Sequence, residues 1–209
     1  MRRTSYPARI ILSAAIVLSA VVPHAVATDG TLQRACFPPE TLAGLPGEHV
    51  PAKGDRRFDM PRKLTDAPAL APVPAEMRGA IRRVELPKGE KLIALTFDLC
   101  EDRGEVAGYE GRIFDYLRQQ GIKATLFAGG KWLRSHQARA EQLMTDPLFE
   151  IGNHSDTHKN TRIIDQKRLE DEVHNPLKTY HALRAHLAET QCAARVPDAI
   201  ATVPDHMSL

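Results

Sequence analysis

Two short stretches collect residue types that can do chemistry. One is Thr96-Phe97-Asp98-Leu99-Cys100-Glu101-Asp102, and the other is Asn153-His154-Ser155-Asp156-Thr157-His158. Two histidines four residues apart can point at one metal ion when they occupy a helical turn. A carboxylate from a neighbouring segment can add a third, oxygen ligand or act as a general base. Two histidines plus one carboxylate leave coordination positions open for water and substrate, the layout of a catalytic rather than a structural site. Taken alone, such a histidine pair usually marks two surface residues, so it gains meaning only from what stands beside it. A metalloprotease HExxH helix is excluded, because Ser155 and not a glutamate follows His154. Cys100 can be a nucleophile in principle, but at a strand end it reads as a small apolar packing residue.

The elements around these stretches place them on one edge. Residues 91–97 (KLIALTF) form a near-continuous apolar run, as expected for a strand buried on both faces of a parallel sheet. Residues 111–120 (GRIFDYLRQQ) put Ile113, Phe114 and Leu117 on one helical face and stop at Gly121, a C-cap signal. A second strand is expected over 122–128, a helix over 131–145 and a third strand over 148–152. A long polar helix over 165–189 should be bent or interrupted by Pro176. Strands and helices alternating with short joins predict a parallel α/β arrangement, whose polar strand ends collect at the carboxyl edge of the sheet.

The remainder sets the compartment and the limits. Of 209 residues, 43% are hydrophobic and 26% charged, enough for one domain and against a polytopic membrane protein. Met1-Arg2-Arg3, the apolar run 10–22 and Ala25-Val26-Ala27 predict a secretory signal cut after Ala27, hence an exported chain with no integral membrane domain. Without Arg2, Arg3 and Arg9, the 28 basic residues fall to 25 against 26 acidic ones, which argues against nucleic acid as a partner. Residues 28–89 hold nine of the 15 prolines and read as an extended arm or linker before a domain at 90–209. Of Cys36, Cys100 and Cys192, two can pair in an oxidising compartment, and Cys192 is expected to lack its partner within the chain. Nothing in the sequence sets an oligomeric state.

LTFD, then KATLFAGGKW, then EIGNHSDTH resemble the polysaccharide deacetylase family, the NodB-homology domains of carbohydrate esterase family 4, over residues 91–158. The resemblance implies a distorted (β/α) barrel that removes N-acetyl groups from an N-acetylated polysaccharide and holds a divalent metal, often zinc. It assigns His154 and His158 as metal ligands and Asp98, the first aspartate of the family's TFDD motif, as the base that deprotonates the attacking water. A later family histidine protonates the leaving amine. The sequence departs from this pattern in two ways. Leu99 replaces the second aspartate, the usual ligand, so either Asp98 binds the metal or Glu101 or Asp102 swings in. After His158 no later family motif follows, and His174, His181, His186 and His206 are poorly placed for the acid. Three strands against the seven or eight of a barrel, with 207–209 reading as the start of another, predict the N-terminal half of that barrel and a fragment of a longer protein. Two rivals keep part of the reading: the same fold acting on a small or cyclic amide, and a non-catalytic glycan-binding protein.

Overall fold

The computed structural model describes residues 30–54, 72, 74–75, 78–79, 83–101 and 103–208. The expected leader, most of the proline-rich stretch and Asp102 lie outside them. In chain order come α1 (Thr31–Cys36), α2 (Pro39–Leu42), β1 (Ala52–Lys53), β2 (Thr96–Leu99), β3 (Glu105–Val106) and α3 (Gly111–Gln120). Then follow β4 (Ala124–Ala128), α4 (Gly130–Ser135), α5 (Gln137–Met144), β5 (Phe149–Asn153) and α6 (Gln166–Glu189), with two 3₁₀ turns at Ala193–Arg195 and Pro197–Thr202.

β2, β4 and β5 form a three-stranded parallel sheet in that order, so the fold is α/β. Thr96 pairs with Thr125 and Ala124 with Phe149, which brings the ends of all three strands to one edge. Ser208 adds the start of a fourth parallel strand: its N–H donates to the Ile151 carbonyl and its carbonyl accepts from the Asn153 N–H, both at 2.9 Å. This agrees with the strand start expected at 207–209.

Helices cover one face of the sheet. Leu126 and Ala128 of β4 are fully buried, and Phe114, Leu117, Leu133, Leu143 and Leu183 pack into the same core. Burying each such leucine contributes about 1.5–3 kcal/mol, the main source of the domain's stability. Ile113 stands 40% exposed, so only Phe114 and Leu117 form the buried stripe of α3. That helix ends as expected at Gly121, whose φ of 61° is the left-handed conformation a C-cap glycine takes readily.

Three expected elements differ. The strand expected over 91–97 begins only at Thr96, and Ile93 is 93% exposed. The physical reason is that, among the described residues, β2 pairs on one side only, with β4, and Thr96 and Asp98 on one of its faces stay exposed, so a doubly buried strand does not form. The helix expected over 131–145 breaks at His136, whose φ of −123° leaves the helical region and separates α4 from α5. By contrast α6 runs through Pro176 as one 24-residue helix. Pro176 is buried, so tertiary packing outweighs the missing N–H. Asp165 caps that helix, accepting from the Arg168 N–H.

Residues 30–54 pack on the same core. Leu32 is 1% exposed, and Arg139 of α5 donates to Glu48 from Nε and Nη2, at 2.7 and 2.8 Å. Gly108 lets the two backbones meet, since a Cβ there would collide with the His49 carbonyl. Cys36 and Cys192 form a disulfide across 156 residues, which corrects the expectation that Cys192 lacks its partner within the chain. Sequence spacing alone carries no information on that pairing, because the turns after α6 must first fold back against α1. In the chain-entropy account a closed loop this long contributes about 5 kcal/mol. Among the described residues no helix is long and apolar enough to cross a membrane.

Candidate metal and catalytic site

Asp98, His154 and His158 come from the ends of β2 and β5, with β4 between them. Asp98 Oδ1 lies 3.9 Å from His154 Nδ1, an ion-pair distance but too long for a hydrogen bond. The His154 and His158 rings are 5.0 Å apart between centroids. A third donor stands with the imidazoles: the ligand atoms of Cys100, His154 and His158 all lie within 4.8 Å of one another. A thiol and two imidazoles are donors that zinc accepts, so the residues present fit the divalent cation the motif implies.

The histidines do not sit on a helical turn. They lie on an irregular loop in which Ser155 and His158 take positive φ, 61° and 58°. Side chains rarely adopt that conformation, so the surroundings must hold it. Asn153 starts the turn, accepting from the Ser155 N–H at 2.9 Å and donating to the Val173 carbonyl. Ser155 Oγ accepts from the His158 N–H at 3.2 Å. Gly130 and Lys131, at the start of α4, donate their N–H groups to the Ser155 and Asp156 carbonyls at 2.9 and 2.8 Å. A side chain on Gly130 would collide with the Asp156 carboxylate, which explains the glycine at that position.

Glu172 of α6 is the anchor that the sequence did not reveal. Its carboxylate accepts from the N–H groups of Asp156 and Thr157, at 3.0 and 2.8 Å, and from the Thr157 hydroxyl. Burial pushes this carboxyl up, but the Thr157 donors and the N–H groups of Lys159 and Asp156 outweigh it and hold it below the ordinary carboxylate range. Asp156 itself is engaged by Arg134 at 2.7 Å and Asn175 at 3.3 Å.

The alternatives for the lost aspartate resolve differently. Leu99 packs against the core, and Asp98, its neighbour, projects from the exposed side of β2. Glu101 does not swing towards the histidines. It is 3% exposed, its Oε1 accepts from the Ser135 hydroxyl and the Ala107 N–H, and Lys131 Nζ lies 3.9 Å from its Oε2. Burial raises its carboxyl above the ordinary range despite those donors. Asp102 lies outside the described residues. The four histidines that follow in the chain are elsewhere: His174 is exposed on α6, His181 has its imidazole pushed down by burial, His186 pairs with Glu141 at 2.7 Å, and His206 with Asp205 at 2.5 Å.

Parts of this chain resemble known proteins. The sequence pattern of the polysaccharide deacetylase family matches residues 85–201, more than half of the chain. A peptidoglycan-N-acetylglucosamine deacetylase of Bacillus cereus is 32% identical over 89 residues, covering 43% of this chain and 39% of that protein. The chain therefore spans about two fifths of the length of that curated relative. Among solved structures, a family 4 carbohydrate esterase from Bacillus anthracis is 26% identical over 43% of this chain and 41% of its own, with a TM-score of 0.38. A CE4 family pseudoenzyme from Bacillus anthracis is 26% identical over 46% of this chain and 32% of its own, with a TM-score of 0.39. With its matched stretch running through both motif-bearing strand ends and the loop that follows each, this chain belongs to the polysaccharide deacetylase family.

Proposed function

We propose that the chain carries the metal-binding part of a hydrolase that removes N-acetyl groups from a polysaccharide. His154 and His158 hold a divalent cation, zinc by preference, and Asp98 acts beside it as general base or further ligand. The observation that carries this reading is the convergence of Asp98, His154 and His158 at one sheet edge in a chain of the deacetylase family. A bound cation supplies Lewis acidity towards the acetamide carbonyl and makes a nearby water more acidic. Asp98, its side chain 61% exposed, accepts the proton of the attacking water at a carboxylate oxygen. The carbonyl carbon gains a C–O bond and loses its C–N bond, so acetate leaves and the amine requires one proton. We assign the return of that proton to Asp98, which holds it after deprotonating the water and stands beside His154.

Support for the setting comes from two sides. The leader pattern of residues 1–27 and the Cys36–Cys192 disulfide both fit an exported protein in an oxidising compartment. The order of β2, β4 and β5, with Ser208 opening a further parallel strand, fits the first strands of a NodB-type barrel. The likeness to a peptidoglycan-N-acetylglucosamine deacetylase favours a polymer of N-acetylated amino sugars as substrate. A second reading, non-catalytic glycan binding, is favoured by Leu99, which sits in the core where the family has a carboxylate.

Acetate release from peptidoglycan fragments and chitin oligomers, with and without a chelator, tests the proposal. Chelator-sensitive release that Asp98→Asn abolishes supports it. Glycan binding that a chelator leaves unchanged, with no acetate released, supports the second reading. Turnover confined to small cyclic amides would move the substrate class.

A further inference from the structure

We propose that Cys100 is the third protein ligand of the cation, giving a cysteine–histidine–histidine set that leaves Asp98 off the metal as the base. The inference rests on the reading that His154 and His158 hold a cation, and it replaces the carboxylate that Leu99 cannot supply.

Three observations converge on the thiol. Its sulfur lies within 4.8 Å of both imidazole ligand atoms, a grouping found without Asp98 among the described residues. A tetrahedral zinc with bonds of about 2.0–2.3 Å keeps its donors roughly 3.3–3.8 Å apart, so small side-chain rotations close the set. Two described carboxylates near the thiol are otherwise engaged: Glu101 with Ser135, Ala107 and Lys131, and Asp156 with Arg134 and Asn175. The backbone just before the thiol is fixed as well. The Gly129 N–H donates to the Leu99 carbonyl at 2.9 Å, and the His154 N–H to the Ala128 carbonyl at 3.2 Å, which ties the ends of the three strands together.

The donor type has a consequence for cation choice. Thiolate with imidazole favours zinc and other thiophilic cations over magnesium, calcium or manganese, which prefer oxygen ligands. Three protein ligands also leave a fourth tetrahedral position open to water or substrate. Cys36 and Cys192 are joined in the disulfide, so Cys100 is the single cysteine outside it.

Cobalt(II) replacing zinc in the full chain reads the ligand directly. A thiolate–cobalt charge-transfer band in the near ultraviolet is expected, present in Asp98→Asn, absent in Cys100→Ser, and with no cobalt bound by His154→Ala. Zinc affinity of Cys100→Ser should fall by more than about a hundredfold, beyond the effect of losing an outer-shell contact. A second measurement needs no variant: zinc should slow alkylation of Cys100 in the native chain about tenfold or more, since the metal-bound sulfur is withheld from the reagent. Histidine-dependent cobalt binding without the band, or alkylation that zinc does not slow, overturns the cysteine ligand and leaves the metal reading standing. Equal cobalt binding by the native chain and His154→Ala overturns both.

Discussion

The loop after β5 and the segment after β2 supply one site, yet they are held in different ways. The histidine loop is fastened from three directions: by Glu172 of α6, by the first N–H groups of α4, and by Asn153 at its own start. Even its Asp156 side chain is committed, to Arg134 and Asn175. The segment carrying Asp98 lies on β2, which pairs with β4 alone among the described strands, and the Asp98 side chain, 61% exposed, lies 3.9 Å from His154. The contrast teaches that the histidine half of the candidate site is built into this stretch of chain, including two left-handed residues that need such fastening. The carboxylate half is open on the side from which substrate would come.

The largest effect is expected where the constraint is least. Asp98→Asn should lower acetate release about 10²–10⁴-fold, the usual contribution of a general base, while zinc affinity changes far less. Initial-rate kinetics and zinc titration of the same variant check both halves of that statement. A parallel loss of affinity would put Asp98 on the metal and break the division between the two segments.

Gly130→Ala attacks the fastened side. The added methyl meets the Asp156 carboxylate, and overpacking of this kind costs about 1–3 kcal/mol. Thermal unfolding should show the loss, with a weaker hold on zinc because the histidine loop shifts. An unchanged midpoint would mean that the loop yields easily.

The smallest effect is pH-dependent. Glu172→Gln removes charge from a carboxylate that accepts from the Asp156 and Thr157 N–H groups and the Thr157 hydroxyl, at a cost of about 1–2 kcal/mol. The Glu172 carboxyl is held below its ordinary range, so its contribution is fully present above the unfolded value near 4.3. It is lost as pH falls through the lower folded value. The gap in unfolding free energy between native chain and variant should therefore be constant at neutral pH and close on acidification. A gap that widens as pH falls would contradict the assignment.

Much of this arrangement was legible from residue type and spacing. The alternation of apolar runs and amphipathic helices located β4, β5 and α3, and LTFD with the histidine motif named the residues of the candidate site. What stayed hidden depended on contacts between distant segments. Glu172 looks like one more polar residue on a polar helix until α6 lies across the histidine loop. The fate of residues 91–95 turned on which faces of β2 the other layers cover, which periodicity does not encode. Cys100 was read as packing because a lone thiol has no pattern, and the Cys36–Cys192 pair required the chain to close on itself. Pro176 shows the reverse, a strong local signal overruled by burial.

The convergence of two strand ends on a cation is the central claim, and calorimetric titration of the full chain with zinc tests it most directly. One zinc bound per chain, with affinity lost by more than about a hundredfold in both His154→Ala and His158→Ala, is the expected result. Zinc binding that neither substitution changes, or no binding by the native chain, would contradict it.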